Sequence, residues 1–284
     1  MTKEEIKNSE ILFLYDAKRC NPNGDMDNEN KPRMDWDTGT NLVSDVRLKR
    51  YIRDYLETVK GETLFVTNKA KDAKDRVKQL GEQSVLDLIG VRLFGAVTAT
   101  EEAEHLTGPV QFNWGYSLNK VELQDTKTIT SSFSSGEGVG KDYRVKYSFI
   151  AFSGGISGLA ARDTELKESD IELLDEAIVK SIPLNRTRSK IGQTPRLYLR
   201  VELEDNQSFL NDLREYISLD YQKAEENIRE ISDSKLDITQ LLDYLKANQE
   251  KVNQIYYWKD SQLEFKDDGF KSLLDIFTSE ELNY

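Results

Sequence analysis

The chain has 284 residues, of which 38% are hydrophobic and 32% charged, and its formal net charge is −12. This length suits one elaborated domain or two smaller ones, and no apolar run is long enough for a transmembrane helix. A single cysteine, Cys20, and a single histidine, His105, exclude a disulfide framework, a cysteine metal site and a zinc finger. The polar first ten residues lack a secretory signal, so we expect a cytoplasmic protein without membrane contact.

The negative charge is concentrated at one end of the chain. Residues 202–284 hold 20 Asp and Glu against 9 Lys and Arg, whereas residues 1–201 hold 31 against 30. The total alone argues against nucleic acid as a partner. Within the first part, however, residues 177–201 carry six Lys or Arg and no acid, and residues 43–53 carry four against one. Such clusters are typical of phosphate contacts, although a solvated surface is the commoner explanation of a charge run.

The N-terminal pattern predicts a strand, a loop and a helix. Residues 10–17 are apolar and predict a buried strand, and the Asn, Asp, Gly and Pro of residues 18–40 predict a long loop. Ser44 is predicted to cap a helix that runs to about Thr58. Apolar residues recur on one face of this helix, which leaves its basic residues on the opposite face: Arg47, Lys49, Arg50 and Arg53.

The middle of the chain alternates between polar segments and short regular elements. Residues 60–81 predict an exposed insertion, and residues 84–94 a helix that ends before a glycine. Residues 108–121 predict a strand with a bulge, and residues 143–152 a second strand. The Ser, Thr and Gly of residues 122–142 predict a flexible hairpin or loop between them.

The last third is predicted to contain one strand of the sheet followed by helices. The spacing of Ser169 and Glu172 is typical of a capping box that opens a helix. Residues 196–204 alternate as a strand with one core face, the other face presenting Arg196, Tyr198 and Arg200. Helices are then predicted at 208–218, 221–231, 237–247 and 269–278, with a strand at 252–258. The whole pattern predicts an α+β fold with an antiparallel sheet.

Metal binding and catalysis have little support in the residues. Residues 21–29 superficially resemble a calcium loop, but a loop counted from Asn21 or from Asp25 has neither Gly at position six nor Glu at position twelve. Cys20 and His105 do not form a nucleophile motif, and no phosphate-binding glycine fingerprint is present. We therefore expect no catalytic residue, no metal site and no cofactor.

Phosphate binding is better supported, at two places. Residues 38–44 form a small-residue loop that leads into a basic helix N-terminus, where free N–H groups favour an anion. Residues 186–196 form a second basic loop. Tyr198, or Phe133 in the predicted hairpin, could stack on a base, although a single aromatic residue is more often a packing residue.

Several ordered blocks together resemble a known family. The blocks are KRCNPNGDMDNENKPRMDWDTG (18–39), LVSDVRLKRYIRDYL (42–56), RLFGAV (92–97), GPVQF with SLNKV (108–121) and RSKIGQTPRLYLRVE (188–202). They resemble the CRISPR-associated family-seven protein, the repeated backbone subunit of type I Cascade, and look closest to its I-B branch. The resemblance extends from about residue 10 to 204 and does not cover the acidic end.

The resemblance implies a fold and a set of partners. It implies an RNA-recognition-motif-like (ferredoxin-like) palm at residues 1–204, with a finger insertion at about 60–107 and a thumb hairpin at about 119–147. Residues 205–284 would be an acidic, mostly helical segment packed on the palm. The implied partners are CRISPR RNA, target DNA through the guide, further copies in a helical filament and other Cascade subunits. Each thumb would kink the guide so that a base flips out.

The resemblance also implies a set of RNA-binding residues. They come from the loop after the first strand, the first helix, the thumb and the later basic loop: Lys18, Arg19, Asn21, Asn23, Arg33, Ser44, Arg47, Lys49, Arg50, Arg53, Phe133, Lys141, Arg144, Arg188, Lys190 and Arg196. Related subunits of type III complexes cleave target RNA with a loop Asp. Asp25, Asp27, Asp35 and Asp37 keep that alternative open, but the I-B branch is non-catalytic and we prefer that interpretation.

Overall fold

A nine-stranded sheet, antiparallel except at one edge, forms the centre of the molecule. The computed structural model describes residues 5–97, 105–130 and 139–284, without the side chains of 125–130 and 139–140. The strands are β1 (Ser9–Lys18), β2 (Gly24–Asp25), β3 (Lys31–Pro32), β4 (Met34–Asp35), β5 (Thr40–Val43), β6 (Gly95–Val97), β7 (His105–Thr107), β8 (Val110–Phe112), β9 (Gly115–Ser117), β10 (Leu123–Thr130), β11 (Val139–Val145), β12 (Tyr147–Ile156), β13 (Gln193–Leu203), β14 (Ser218–Tyr221), β15 (Ser234–Asp237), β16 (Val252–Lys259) and β17 (Ser279–Glu281). The α-helices are α1 (Asp45–Thr58), α2 (Ala73–Leu80), α3 (Ile89–Phe94), α4 (Gly158–Thr164), α5 (Glu168–Leu184), α6 (Thr239–Ala247) and α7 (Gly269–Ile276).

The predicted first strand is confirmed and lies in the middle of the sheet. The strand order is β17-β16-β13-β1-β12-β9-β5-β4, and β8 also pairs with β12. Strand β1 is almost wholly buried because both faces of the sheet are covered. Phe13 and Tyr15 pack under α1 and α5, whereas Leu12 and Leu14 pack against the C-terminal segment. Each such side chain contributes about 1.5–3 kcal/mol through burial.

The acidic C-terminal segment is an integral part of the fold. Strand β16 pairs along β13 from Leu197 to Leu203, which extends the sheet by one strand. Leu241, Leu245 and Leu273, on α6 and α7, are fully buried against the second face of the sheet. Removing residues 205–284 would therefore expose this core and unfold the protein.

Two of the four helices predicted in this segment are wrong. The helices at 237–247 and 269–278 and the strand at 252–258 are confirmed as α6, α7 and β16. Residues 208–218 contain only a short 3₁₀ turn, and residues 221–231 contain turns. In the second case the Asp233 carboxylate accepts the backbone N–H groups of Arg229 and Glu230. Such side-chain bonds compete with helical ones, so the segment is mixed rather than mostly helical.

Other boundaries differ from the sequence pattern for local reasons. The predicted strand at 108–121 is divided into β8 and β9, and that at 143–152 is divided at Lys146 between β11 and β12. Helix α5 begins one residue before Ser169, because Asp170 accepts the N–H of Lys167 at 3.1 Å. The capping carboxylate is thus Asp170 and not Glu172.

Candidate nucleic-acid interface

Ser44 lies at the N-terminus of α1, as predicted, but its side chain does not cap the helix. Its Oγ and its backbone N–H instead donate to Asn23 Oδ1, at 3.0 and 2.9 Å. The amide of Asn23 therefore anchors the loop after β1 to the start of α1. The predicted long loop is confirmed as irregular over most of its length, with only short strands and one 3₁₀ turn.

The second basic loop, which connects α5 to β13, crosses the loop after β1. Lys190 Nζ donates to the carbonyl oxygens of Asn21 at 2.6 Å and Pro22 at 3.2 Å. The backbones of the two segments come very close together at Gly192. Its φ is +110°, and a Cβ at this position would lie 2.4 Å from the Lys18 carbonyl oxygen. Glycine is required there because any other residue would both clash and be strained. Two basic regions far apart in sequence thus become one surface.

The base of the β10–β11 hairpin joins the same surface. Arg144 donates from Nη1 to the Arg19 carbonyl at 2.9 Å and from Nη2 to the Arg188 carbonyl at 3.4 Å. Asp142 accepts from Arg144 at 2.8 Å and keeps its guanidinium in this position. Arg144, which we predicted to contact RNA, therefore holds two other basic residues in place.

Four exposed cations occupy this surface, which we call the basic ridge: Lys18, Arg19, Arg186 and Arg188. The Arg188 side chain is 60% exposed and has only a long contact of 3.7 Å with Asp142. Among the described residues we find no ion pair for Arg19 or Arg186. Lys18 differs, since Glu230 of the acidic segment accepts from its ammonium at 2.8 Å. The ridge can therefore offer several cations to an anionic chain.

The hairpin also contacts the loop after β1 further along. Lys141 Nζ and Tyr143 Oη donate to the Glu29 carboxylate, at 2.9 and 2.6 Å. These bonds, the one from Tyr143 foremost, lower the pKa of Glu29 to about 2. Lys141 is thus exposed but paired. The predicted contact residue Phe133 lies outside the described residues.

The basic face predicted for α1 is only partly open. Lys49 is buried and donates to Asp45 and Gln111, and Arg53 lies over the ring of Phe94. Arg50 pairs with Asp54 at 2.8 Å. The expectation that the basic side of α1 faces solvent is wrong because these side chains are paired or lie against neighbouring groups. Burial lowers the pKa of Arg53, which is the expected direction for a cation removed from water.

Arg196 and Tyr198 are also inside the protein. Arg196 is 6% exposed, and its guanidinium pairs with Asp16 and Asp260. Tyr198 is fully buried and donates to Asp175 at 2.6 Å. The predicted polar face of β13 is therefore buried: Asp175 of α5 accepts from Tyr198, whereas Asp16 and Asp260 enclose the guanidinium of Arg196. This burial removes Arg196 as a phosphate ligand and Tyr198 as a stacking residue.

Two further predicted residues, Arg33 and Arg47, lie in the loop after β1 and on α1. Arg33 pairs with Asp25 at 3.1 Å and its backbone N–H donates to the Asn23 carbonyl. Arg47 lies over the ring of Tyr51 at 4.6 Å. Arg186 belongs to the basic ridge but was not among the predicted contacts, although the acid-free stretch 177–201 includes it. That stretch was the signal that could have identified it.

The lowered pKa of Lys190 predicts that the stability of the fold depends on pH. Burial and the nearby charge of Arg47 lower the pKa of Lys190 to about 7, whereas the facing thiol of Cys20 acts in the opposite direction. An unfolded lysine binds its proton up to about pH 10.4, so the unfolded chain holds more protons between these values. We therefore expect Lys190 to cost stability below about pH 7 and to cost progressively less as the pH rises.

Urea denaturation of the wild type and of Lys190→Met at several pH values tests this expectation. The free energy of unfolding of the wild type should rise, relative to that of the variant, between about pH 7 and pH 10. Parallel pH profiles for the two proteins would show that Lys190 titrates normally.

The described residues show neither a metal centre nor a membrane span. Within residues 5–97, 105–130 and 139–284, we find no group of three or more His, Cys, Asp or Glu that could hold a metal ion. In the same part of the chain no helix is both long and apolar enough to cross a bilayer. Of the four loop aspartates, Asp25 pairs with Arg33, and Asp35 accepts the backbone N–H of Asp37.

Comparison with known proteins gives concordant matches. Residues 7–239 match the family described as "CRISPR-associated protein Cas7". A relative of that name from Haloferax volcanii is 32% identical over 302 aligned residues, which cover 91% of this chain and 88% of the relative. Among solved structures, a "CRISPR RNA-guided surveillance complex" chain has a TM-score of 0.60 at 15% identity, covering 97% of this chain and 95% of its own. A chain of a "CRISPR RNA-guided surveillance complex, pre-nicking" has a TM-score of 0.55 at 13% identity, covering 95% and 100%.

Proposed function

This chain belongs to the CRISPR-associated protein Cas7 family, and from that premise we propose that it is a guide-RNA-binding backbone subunit of a type I interference complex. The observation that carries the proposal is the basic ridge, where Arg144 joins the main chains of Arg19 and Arg188. A row of exposed cations on a fixed backbone suits phosphates of any sequence. The positive charge is concentrated on the basic ridge, so the net charge of −12 for the whole chain does not argue against RNA binding there.

Copies of the chain would bind side by side along one RNA and present its bases to target DNA. In the proposed complex the partners are CRISPR RNA, further copies in a helical filament and other Cascade subunits, in the cytoplasm. The structural matches support an assembly of this kind, since both are chains of CRISPR RNA-guided surveillance complexes. We assign the complex to the I-B branch on the strength of the sequence blocks in residues 18–202.

We further propose an RNA-recognition-motif-like palm. The strand order β13-β1-β12-β9, with α1 and α5 on one face, supports it, because this is the order of a split βαβ unit. Residues 60–107 would be the finger insertion and residues 119–147 the thumb. The contacts of Lys141, Tyr143 and Arg144 with the loop after β1 support a thumb that begins at the basic ridge.

Binding of a labelled single-stranded RNA to the purified chain tests the proposal. We expect the logarithm of the affinity to fall linearly with the logarithm of salt concentration, by about 0.7 for each phosphate contacted. Four contacts would thus give a slope of about −3. Absence of binding at low salt would contradict an RNA-binding role.

We propose that the chain does not cleave RNA. The pairing of Asp25 with Arg33 and the turn bond of Asp35 support roles for these carboxylates in the loop's own structure. Incubation with magnesium and labelled RNA should leave the RNA intact. Cleavage that disappears in Asp25→Ala, Asp27→Ala, Asp35→Ala or Asp37→Ala would instead establish the type III alternative.

A further inference from the structure

Trp114 is a large aromatic side chain that the fold leaves at the surface. It lies between β8 and β9 and is 45% exposed. Strand β9 pairs with β5 so that Tyr116 is opposite Leu42 and Gly115 is opposite Val43. Trp114 precedes Gly115 and Ser44 follows Val43, so both residues lie just beyond the same end of this pairing. The indole is therefore next to the loop that Asn23 anchors.

The backbone around Trp114 is held rigidly. Arg214, which is 5% exposed, donates from Nη1 to the Trp114 carbonyl at 2.7 Å and lies over the ring of Tyr116 at 4.5 Å. On the other side, the Asn113 N–H donates to the Ser153 carbonyl at 2.9 Å. A Cβ at Gly115 would lie 2.5 Å from the Phe152 ring, so β9 also lies tightly against β12. An exposed indole on a fixed backbone loses little conformational freedom when a ligand contacts it.

The Arg33 guanidinium connects the Trp114 indole to the loop after β1, which contains several of the predicted RNA-binding residues. The Arg33 guanidinium lies 5.9 Å from the centroid of the Trp114 ring, and the Arg33 N–H donates to the Asn23 carbonyl at 3.0 Å. Asn23 in turn accepts from Ser44. These contacts run without a gap from Lys190, through Pro22 and Asn23, to Trp114. Lys190 belongs to the same loop as Arg186 and Arg188, so these contacts link the indole to the loop that carries half of the basic ridge.

We propose that Trp114 is a stacking platform for a nucleobase of the bound RNA, flanked by the guanidinium of Arg33. This inference rests on the proposed RNA-binding function. It adds a contact with a base, whereas the contacts proposed for the basic ridge are with phosphates. Stacking of a base on an aromatic ring is sequence-tolerant, because every base has a π-face. That property suits a subunit that must hold any guide sequence.

The test compares the intact chain with Trp114→Ala and Trp114→Phe on two short, single-stranded oligonucleotides. One is an RNA of mixed sequence, and the other has the same phosphate backbone but lacks bases. Trp114→Ala should bind the RNA roughly 5- to 100-fold more weakly, with an unchanged salt slope because no charge is lost. Trp114→Phe should keep most of the affinity, and all three proteins should bind the abasic strand equally.

Trp36→Ala is the matched control. Trp36 is 64% exposed on the neighbouring β4–β5 turn, and no cation lies over its ring among the described residues. Its loss should leave RNA affinity unchanged. Equal binding of RNA by wild type and Trp114→Ala, or an equal loss on the abasic strand, would overturn the stacking role while leaving the proposed function intact. Failure of the wild type to bind either strand would overturn both.

Discussion

Replacing Arg19 and Arg188 together by Gln should weaken RNA binding roughly 10- to 100-fold at moderate salt. Both side chains are exposed, and their main chains are held by the single guanidinium of Arg144. Glutamine keeps most of the side-chain length and removes the charge. The salt slope should become shallower by about 1.4, since each phosphate contact on a single strand contributes about 0.7. The loss should be the same for all RNA sequences, as measured by fluorescence anisotropy.

The control for this double variant is Lys246→Gln with Lys271→Gln. These lysines are exposed on α6 and α7, in the acidic segment. Replacing these two lysines removes two positive charges, as does replacing Arg19 and Arg188. Any effect of net charge alone would therefore appear in both double variants. Equal weakening in the control would show that the basic ridge is not the binding surface.

Replacing Asp175 by Ala should destabilise the protein by about 3–5 kcal/mol. Asp175 lies on α5, 1% exposed, and accepts from Arg200 at 2.9 Å and from Tyr198 at 2.6 Å. Removing the carboxylate takes away the hydrogen-bonded partner of the buried Arg200 guanidinium and leaves, among the described residues, the more distant Glu202 at 3.6 Å and the Tyr256 ring at 3.9 Å. Urea denaturation at neutral pH measures the loss.

The double variant Asp175→Leu with Arg200→Met separates the ion pair from packing. Replacing both partners by apolar groups removes the buried charges together, so most of the lost stability should return. If the double variant is as unstable as Asp175→Ala, the cost comes from packing around α5 and β13 or from the buried Tyr198 hydroxyl, which loses its acceptor in both variants, and not from the unpaired charge.

The difference between charged side chains that are open to solvent and those that are paired inside the protein explains which parts of the site the sequence predicted. The basic stretch at 177–201 indicated the loop of Arg186 and Arg188, whereas the cations of 43–53 are largely paired or covered, and the ordered blocks indicated the family. Composition could not distinguish Arg188, which is open to solvent, from Arg196, which is neutralised by Asp16 at a distance of 180 residues in the chain. That distinction depends on long-range pairing, which leaves no local signal.

The acidic segment presents the same difficulty in its secondary structure. Leu210, Leu213 and Ile217 follow a helical spacing and all three are buried against the sheet, yet only Leu213 lies in the short 3₁₀ turn. The apolar spacing reflected contact with the second sheet face and not a continuous helix. The segment also provides Arg214 and Glu230, which reach Trp114 and Lys18. The net charge of the segment does not indicate that these two residues contact the interface.

The short final strand, β17, protects the edge of the sheet. It pairs in parallel with β16 over only three residues, and two of them are Glu280 and Glu281. Brief edge strands with charged side chains discourage the sheet of one molecule from continuing into that of another. A protein that gathers many copies at high local concentration on one RNA is especially exposed to such edge-to-edge aggregation. The acidic edge therefore favours ordered, RNA-directed assembly over the growth of β-fibres.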